Sequence, residues 1–381
     1  MKKIIALLLA FTLIFALAAC EKEAESSEPS PVPSSSEPAE PVPAKKVGIS
    51  LPTRSLKRWE LEGTNMKAQL EEAGYTVDLE FAGDNDIPTQ IAQLEAMISG
   101  GCEVLVIAAI EGEAPIEGEA LVDVLEGAKE KEIPVIAYNR LIWDSEAISY
   151  YVSFDLFKSG LVLAEFIEDA LNLKNTEGPF NIEMIAGVPS YFSVNINYAG
   201  TMSVLQPYID EGKLVIKSGR NTREQCVIMD NDTDEAQERM EELIASQGYG
   251  PEGEKLDAVW CESDSIAQGV TKALLDAGYT AGENFPIIVG HDCDIASVKN
   301  ILAGTQSMSA FRDRRELVSR AVAMVDSILR GEEPEVNNTT DYVSAFDTAI
   351  PSYMCDPVVC TAENYKELLI ESGYYTEDEL K

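Results

Sequence analysis

Short apolar runs alternate with amphipathic stretches along this chain from Val47, and the alternation restarts at Ile148. The run from 104 to 109 is continuously apolar, which is typical of a strand buried on both faces of a parallel sheet. Repeated alternation of strands and helices predicts an α/β fold, here in two copies. We therefore expect two doubly wound parallel sheets that lie side by side with a cleft between them.

The pattern is regular enough to place individual elements. The predicted strands are 47–51, 75–82, 104–109, 135–138, 148–154, 181–186, 256–261, 286–290 and 306–311. The predicted helices are 57–73, 87–98, 118–131, 156–171, 194–208, 233–247, 265–277, 296–302 and 313–329. In such sheets ligands gather at the carboxyl ends of the strands, so the residues that follow each strand are the ones to inspect.

The N-terminus predicts export. Two lysines precede an apolar run, residues 4–19, that is too short to span a membrane and ends in Leu17-Ala18-Ala19-Cys20. This ending resembles a bacterial lipobox, which implies a lipoprotein signal peptide over 1–19, cleavage before Cys20 and acylation of its thiol, for example with palmitate. The competing interpretation is an ordinary secretory signal with an incidental cysteine. We expect a lipid anchor on the extracytoplasmic face of the cell membrane.

Residues 20–44 consist almost entirely of Glu, Ser, Pro and Ala, with no aromatic residue. Such a segment cannot bury enough apolar surface to offset the entropy of ordering, so it is predicted to be a disordered tether. The folded part that follows is long enough for two domains.

Charge and cysteine content exclude several classes of function. The formal net charge is −37, which opposes binding to nucleic acid phosphates. The chain has one histidine and no spacing typical of metal ligands, so neither a metal nor a cofactor is expected. Cys102 and Cys261 flank apolar runs and are predicted to be buried thiols. A disulfide between Cys355 and Cys360 remains open on sequence alone.

Polar, charged and aromatic side chains follow the predicted strands. Carboxylates and arginines pair with vicinal hydroxyl groups, and aromatic rings stack on the apolar face of a sugar. This combination predicts a carbohydrate site. The competing interpretations are helix N-caps for the two aspartates, a solvated arginine and a core tryptophan. The candidate ligand-binding residues are Arg58, Trp59, Glu111, Asn139, Arg140, Ser193, Asp264, Asp292 and Arg312.

Several stretches carry a resemblance to a known family, and they extend from Val47 to Lys381. The chain resembles type I periplasmic sugar-binding proteins, among them the xylose and multiple-sugar receptors. The resemblance implies two Rossmann-like lobes, joined by a three-segment hinge, that close on a ligand. We expect an N-terminal lobe of 45–154 plus 293–346 and a C-terminal lobe of 155–292 plus 347–381. The stretches are VGISLPTRSLKRW, IPVIAYNRLI, GPFNIEMIAG, MSVLQPYIDEGKLVIKSG, ILAGTQSMSAFRDRREL and PVVCTAENYKELLIESGYYTEDELK.

The sequence departs from the family pattern at several candidate positions. Asn139 stands where relatives usually have Asp, Glu111 where they often have Asp, and Arg312 where they often carry Lys. The run Ser190-Tyr191-Phe192-Ser193 replaces one with two asparagines, and residues 113–119 look like an insertion. The ligand could therefore be a deoxy sugar, a modified sugar or a less polar polyol rather than a plain aldopentose.

The predicted function is capture of a monosaccharide or related polyol by a monomer, followed by delivery to the permease of an ABC importer. The alternative is a co-receptor that presents sugar to a histidine kinase or chemoreceptor. An enzyme is not expected, because GxSxG and P-loop motifs are missing and no GxGxxG motif follows the first strand. A glycosidase that uses Asp264 and Asp292 as its two carboxylates is the enzymatic alternative.

Overall fold

The computed structural model describes residues 44–110, 120–142, 144–187, 192–229, 232–282 and 284–381, and for residues 120 and 192–194 it describes the backbone alone. The predicted signal peptide and all of the predicted tether except Ala44 lie outside the described residues. In the part of the chain described, no helix is both long and apolar enough to cross a lipid bilayer.

The elements follow the predicted alternation. The strands are β1 (Lys46–Leu51), β2 (Thr76–Phe81), β3 (Val104–Ile107), β4 (Val135–Tyr138), β5 (Ile148–Phe154), β6 (Phe180–Ile185), β7 (Leu214–Val215), β8 (Ala258–Cys261), β9 (Ile287–His291), β10 (Met308–Phe311), β11 (Ser352–Cys355) and β12 (Val358–Cys360). The helices are α1 (Lys57–Glu72), α2 (Ile87–Ser99), α3 (Ala120–Glu130), α4 (Leu156–Ala170), α5 (Phe192–Asp210), α6 (Arg223–Cys226), α7 (Thr233–Gln247), α8 (Asp264–Asp276), α9 (Ile295–Ala303) and α10 (Arg314–Arg330). A π-helical segment, Lys366–Glu371, lies near the C-terminus.

Within the described residues the strands form two sheets. The first has the order β11-β5-β4-β3-β1-β2, and all its neighbours are parallel. The second has the order β12-β10-β9-β8-β6-β7, and its edge strand β12 runs antiparallel to β10. The expected α/β fold with two parallel-sheet lobes is confirmed.

Helices cover both faces of each sheet, which explains the continuously apolar strands. Along β3, Val104 and Val106 pack in the same cluster as residues of α1 and α10. Leu105 and Ile107 pack on the opposite face with residues of α2 and α3. Successive side chains of a strand point to opposite faces, so a strand between two helical layers is apolar at every position.

The chain crosses between the two sheets at three places: from β5 to α4, from β10 to α10, and from β11 to β12. Aspartates begin the helices at the first two crossovers. Asp155 accepts a hydrogen bond from the backbone N–H of Lys158 at 2.8 Å, and Asp313 accepts one from that of Arg315 at 2.9 Å. Such caps satisfy amide groups that have no partner within the helix, so they fix where each helix starts.

These crossovers correct the expected lobe boundaries. We expected 293–346 in the N-terminal lobe, but α9 and β10 belong to the second lobe because β10 pairs with β9 through Met308↔Val289. We expected 347–381 in the C-terminal lobe, but β11 pairs with β5 through Ser352↔Tyr151. The first lobe therefore takes its second part from α10 to β11, and the second lobe ends with β12 and the C-terminal segment.

Candidate ligand-binding site

The carboxyl ends of the two sheets carry a group of four paired charges, which we call the interlobe charge cluster: Glu62, Asp292, Arg312 and Arg314. Glu62 lies on α1 and Arg314 begins α10, so both belong to the first lobe. Asp292 follows β9 of the second lobe, and Arg312 follows β10 at the second crossover. The cluster thus draws residues from both sides of the cleft.

Asp292 is the acceptor at the centre of this cluster. Its Oδ1 accepts hydrogen bonds from Arg312 Nε at 3.0 Å, from Arg312 Nη2 at 2.5 Å and from Arg314 Nη2 at 3.5 Å. Its backbone φ of 104° is rare for a residue with a side chain. Burial alone would raise the pKa of Asp292, but the positive charges of Arg312 and Arg314 hold it well below its usual value.

Arg314 connects the two lobes. Besides Asp292, its Nη1 contacts Glu62 Oε1 at 3.4 Å, and Glu62 Oε2 accepts a hydrogen bond from the Tyr138 hydroxyl at 2.8 Å. Glu62 is only 4% exposed. Burial alone would lower the pKa of Arg314, but the carboxylates of Asp292 and Glu62 raise it. The result is an ion pair on each side of one guanidinium group, with a buried carboxylate at Glu62 and a half-buried one at Asp292.

The ring of Trp59 packs against two arginine side chains and is not exposed. The guanidinium carbon of Arg58 lies 4.0 Å from the Trp59 ring centroid, and that of Arg140 lies 5.4 Å from it. The indole is 0% exposed, so it offers no free face for stacking in this structure. Burial, together with the positive charges of Arg314 and Arg140, lowers the pKa of Arg58 to about 10. Arg58 and Arg140 are held in place by cation–π attraction.

Asn139 and Arg140 lie at the end of β4. The φ of Asn139 is 61°, and its carbonyl oxygen accepts hydrogen bonds from Ser153 Oγ at 3.1 Å and the Tyr151 hydroxyl at 3.3 Å. Nη1 of Arg140 donates to the carbonyl oxygens of Ala109 and Ile110, both at 3.1 Å. Arg140 therefore fastens the end of β3 to the end of β4.

Asp264 is fully buried, and both oxygens of its carboxyl group accept hydrogen bonds from other groups of the protein. Its Oδ1 accepts from Gln306 Nε2 at 3.0 Å, and its Oδ2 accepts from Ser309 Oγ and from the backbone N–H of Asp294, both at 2.9 Å. It is not the N-cap of its own helix, because Ser263 holds that position. Burial and the charges of Asp294 and Asp292 raise the pKa of Asp264 well above its usual value. Its carboxyl group supports the loop that follows β9.

His291 lies beside the cluster. Its Nε2 is 3.8 Å from Asp292 Oδ2. Burial and the charge of Arg312 lower the pKa of His291 to about 3, so the ring is neutral at physiological pH. No group of His, Cys, Asp and Glu residues suited to a metal ion occurs among the described residues.

A cavity of about 630 Å³ adjoins the cluster. Two of the candidates from the sequence, Arg58 and Asp292, line it, together with Glu62 and Arg314, which sequence reasoning missed. Glu111 and the side chain of Ser193 lie outside the described residues. The remaining lining residues are Leu56, Lys57, Leu61, Asn65, Asp294, Ile295, Arg315, Val318, Tyr374, Tyr375 and Glu379.

The structure thus brings four candidates together in two pairs: Arg58 and Arg140 share the Trp59 ring, and Arg312 pairs with Asp292. Asn139 directly precedes Arg140 at the end of β4. Trp59 and Asp264 lie behind them as fully buried supports. Glu62 lies one helical turn after Arg58, and Arg314 lies two residues after Arg312, so helix periodicity and the run Arg312-Asp313-Arg314-Arg315 were the available signals.

Comparison with known proteins agrees with this architecture. Residues 47–333 match the model of the periplasmic binding protein domain. The chain is 43% identical to the multiple sugar-binding periplasmic receptor ChvE of Rhizobium radiobacter over 88% of this chain and 92% of the relative. It is 30% identical to the D-xylose-binding periplasmic protein of Escherichia coli, with the same two coverages.

Solved structures give the same result. An ABC transporter solute-binding protein from Clostridium phytofermentans, solved with bound β-D-glucose, is 50% identical with a TM-score of 0.76, covering 88% of this chain and all of the other. A carbohydrate transporter solute-binding protein from Chloroflexus aurantiacus, solved with D-glucose, is 27% identical with a TM-score of 0.71, covering 88% and 98%. Because the family model matches most of its length and these relatives share its sequence and fold, the chain belongs to the periplasmic binding protein family.

Proposed function

We propose that this chain is a sugar receptor that captures a monosaccharide or related polyol between its lobes and delivers it to an ABC import permease. The observation that carries the proposal is the interlobe charge cluster, with donors and acceptors from both lobes at the carboxyl ends of both sheets beside a cavity. A ligand that contacts both lobes binds the closed form better than the open form, and so shifts the population towards closure.

The pairing of charges favours a neutral, oxygen-rich ligand. Arg312 and Arg314 are already paired with Asp292 and Glu62, so the cluster presents fixed hydrogen-bonding groups rather than unpaired charge. Vicinal hydroxyl groups both donate and accept, which suits a carboxylate beside a guanidinium group. The relatives named above as sugar-binding, and the glucose-bound solved structures, support this ligand class.

The candidate residues divide into two roles under this proposal. Arg58, Asn139, Arg140, Asp292 and Arg312 would contact the sugar, and Glu111 and Ser193 remain candidates on sequence grounds. Trp59 would position Arg58 and Arg140 through cation–π contacts. Asp264 would position the backbone after Asp292 through its hydrogen bond from the N–H of Asp294. Glu62 and Arg314 are added because they line the cavity.

Calorimetry of the mature chain tests the assignment. A thermal-shift screen first identifies the tightest ligand among D-glucose, D-xylose, L-arabinose, D-galactose and myo-inositol, because binding raises the melting temperature. We expect Asp292→Asn to weaken that ligand's affinity at least tenfold, since a half-buried, charged acceptor is lost. The control is Asp169→Asn, on an exposed part of α4, which should bind like the wild type.

Equal affinity of wild type and Asp292→Asn for a confirmed ligand would contradict the site. No binding of any sugar or polyol would contradict the ligand class.

We also propose that Cys20 carries the lipid anchor from which the receptor serves its permease, supported by the sequence Leu17-Ala18-Ala19-Cys20. In cells fed an alkyne analogue of palmitate, the wild type should be labelled and membrane-bound. Cys20→Ser should be unlabelled and released, whereas Cys102→Ser, at a buried thiol of the first lobe, should behave as the wild type does. A labelled Cys20→Ser variant would place the lipid elsewhere.

A further inference from the structure

Two cysteines that the binding site does not use lie against each other beneath the loop that follows β9. Cys293 and Cys360 are both 0% exposed and share a hydrophobic cluster with Phe311 and Leu369. The two side chains lie close enough that each thiol affects the pKa of the other. They are 67 positions apart in the chain, so this contact is made by the fold and not by local sequence.

Ser309 of β10 fixes the position of both cysteines. Cys360 is its cross-strand partner in the antiparallel pair of β10 and β12. The backbone N–H of Cys293 donates to Ser309 Oγ at 2.9 Å, and the Cys293 thiol lies 3.7 Å from the Ser309 carbonyl oxygen. Because both cysteines contact the same strand residue, the fold brings them into the proximity that a disulfide requires.

We propose that Cys293 and Cys360 form a disulfide bond in the exported protein. This bond is independent of the sugar-binding proposal. It replaces the pairing of Cys355 with Cys360 that the sequence left open. Cys355 lies in the first sheet opposite Phe154 and packs in a different hydrophobic cluster from Cys360.

The chemistry requires an external disulfide, such as oxidised glutathione or a thiol–disulfide oxidoreductase. The hydrogen bond from Cys293 lowers the pKa of Cys360, whereas burial raises that of Cys293, so Cys360 is the attacking thiolate. It forms a mixed disulfide and releases one external thiol. Cys293 then loses its proton and attacks the Cys360 sulfur, which releases the second external thiol. Two protein thiols are oxidised and one external disulfide is reduced.

The bond would close a particular loop of the chain. Residues 294–359 leave the second lobe after β10, supply α10 and β11 to the first lobe, and return at β12. The disulfide would link the two ends of this segment covalently within the second lobe. One end is adjacent to Asp292, so the bond would also restrain the backbone that presents its carboxylate. Because neither sulfur is exposed, we expect exchange to occur before the C-terminal segment packs in place.

Peptide mapping of the exported full-length chain tests the proposal directly. The protein is denatured without reductant, alkylated with iodoacetamide, digested and analysed by mass spectrometry. We expect Cys102, Cys226, Cys261 and Cys355 to be alkylated, and the peptides of Cys293 and Cys360 to be linked. Alkylation of both Cys293 and Cys360, in the exported protein and after refolding with oxidised glutathione, would overturn the proposal, as would linkage of Cys355 to Cys360.

Melting curves provide a second measurement. The oxidised wild type should melt about 5 °C above the reduced protein, because the bond restricts the unfolded chain. The shift should be absent in Cys293→Ser and Cys360→Ser and retained in Cys102→Ser. If the serine variants fail to fold, the mapping of the wild type still decides. A protein that bound no sugar could still contain the disulfide and show this melting shift. The disulfide proposal and the sugar-receptor proposal can therefore be contradicted independently.

Discussion

At the scale of single residues, the site depends on side chains that hold one another. Asp292 has a left-handed backbone conformation, and its carboxylate is shared by Arg312 and Arg314. Such a conformation costs on the order of 1–3 kcal/mol and persists where surrounding contacts enforce it. Here the enforcing contacts include the bond from Asp294 N–H to the buried Asp264. Contacts within the protein thus hold Asp292, which would contact the ligand, in its conformation before any ligand binds.

The lowered pKa of Asp292 predicts a specific dependence of stability on pH. The unfolded carboxylate takes up a proton near pH 4, whereas the folded one stays ionised at lower pH. Its contribution to stability is therefore present above about pH 4 and is lost as the pH falls. We expect Asp292→Asn to lower the free energy of unfolding by about 2 kcal/mol at pH 7, with a smaller difference from wild type at pH 3.

Urea unfolding of both proteins at pH 7, 5, 4 and 3 measures this difference. Asp169→Asn is the matched control and should follow the wild type at every pH. A difference that stays constant from pH 7 to pH 3 would show that the Asp292 carboxylate is not stabilised by the arginines.

The sequence located the strand-end positions because ligand sites in open α/β sheets follow the strands. It could not separate residues that face the cleft from residues that support them. Asp264 and Asp292 both follow strands of the second lobe, yet one is fully buried and the other lines the cavity. That distinction depends on how Gln306, Ser309 and Asp294 surround Asp264, which is a tertiary property.

At the scale of elements, α4 and α5 pack unusually closely in the second lobe. A Cβ atom added at Gly160 would lie 1.8 Å from the backbone oxygen of Asn197, and one at Gly200 would lie 2.0 Å from that of Phe157. Both obstacles are backbone, so they cannot rotate away. The two glycines therefore set the distance between the helices. One of these helices begins at the first crossover, so its position also affects the hinge.

Substitution of these glycines tests the helix contact. We expect Gly160→Ala to lower the free energy of unfolding by about 2 kcal/mol or more, because the helices must separate. The matched control is Gly127→Ala on α3, where an added Cβ would meet nothing within 4 Å. This control should be neutral or stabilising by up to about 1 kcal/mol. Urea unfolding that gives equal stability for Gly160→Ala and wild type would contradict the close packing.

Element positions were largely predictable, because the predicted strands and helices end within about two residues of the observed ones. The lobe boundaries were not. One boundary depends on the pairing of β10 with β9, and the other depends on β11 and β12, which are four and three residues long and were not predicted as strands. Their pairing with β5 and β10 assigns the chain to one lobe or the other. This long-range pairing leaves no local signal in the sequence.

At the scale of the whole molecule, three crossovers connect the lobes, and arginines at the start of α10 make contacts between the lobes near the second crossover. Arg314 contacts Glu62 in the first lobe and Asp292 in the second. A ligand that engages Asp292 therefore also alters a contact between the lobes. Under the proposed function, this arrangement would couple occupancy of the cleft to the relative position of the lobes, and a permease could recognise the loaded receptor by that position.

Small-angle X-ray scattering tests that coupling. We expect a saturating amount of the tightest sugar to reduce the radius of gyration of the mature wild type, because the ligand stabilises the closed form. Asp292→Asn is measured at the same sugar concentration, chosen to lie below the dissociation constant of this variant. It should keep the radius of gyration of the ligand-free protein. Asp169→Asn should contract as the wild type does. If calorimetry reports saturation while the wild-type radius does not change, the sugar binds without closing the lobes, and recognition by a permease must depend on something other than closure.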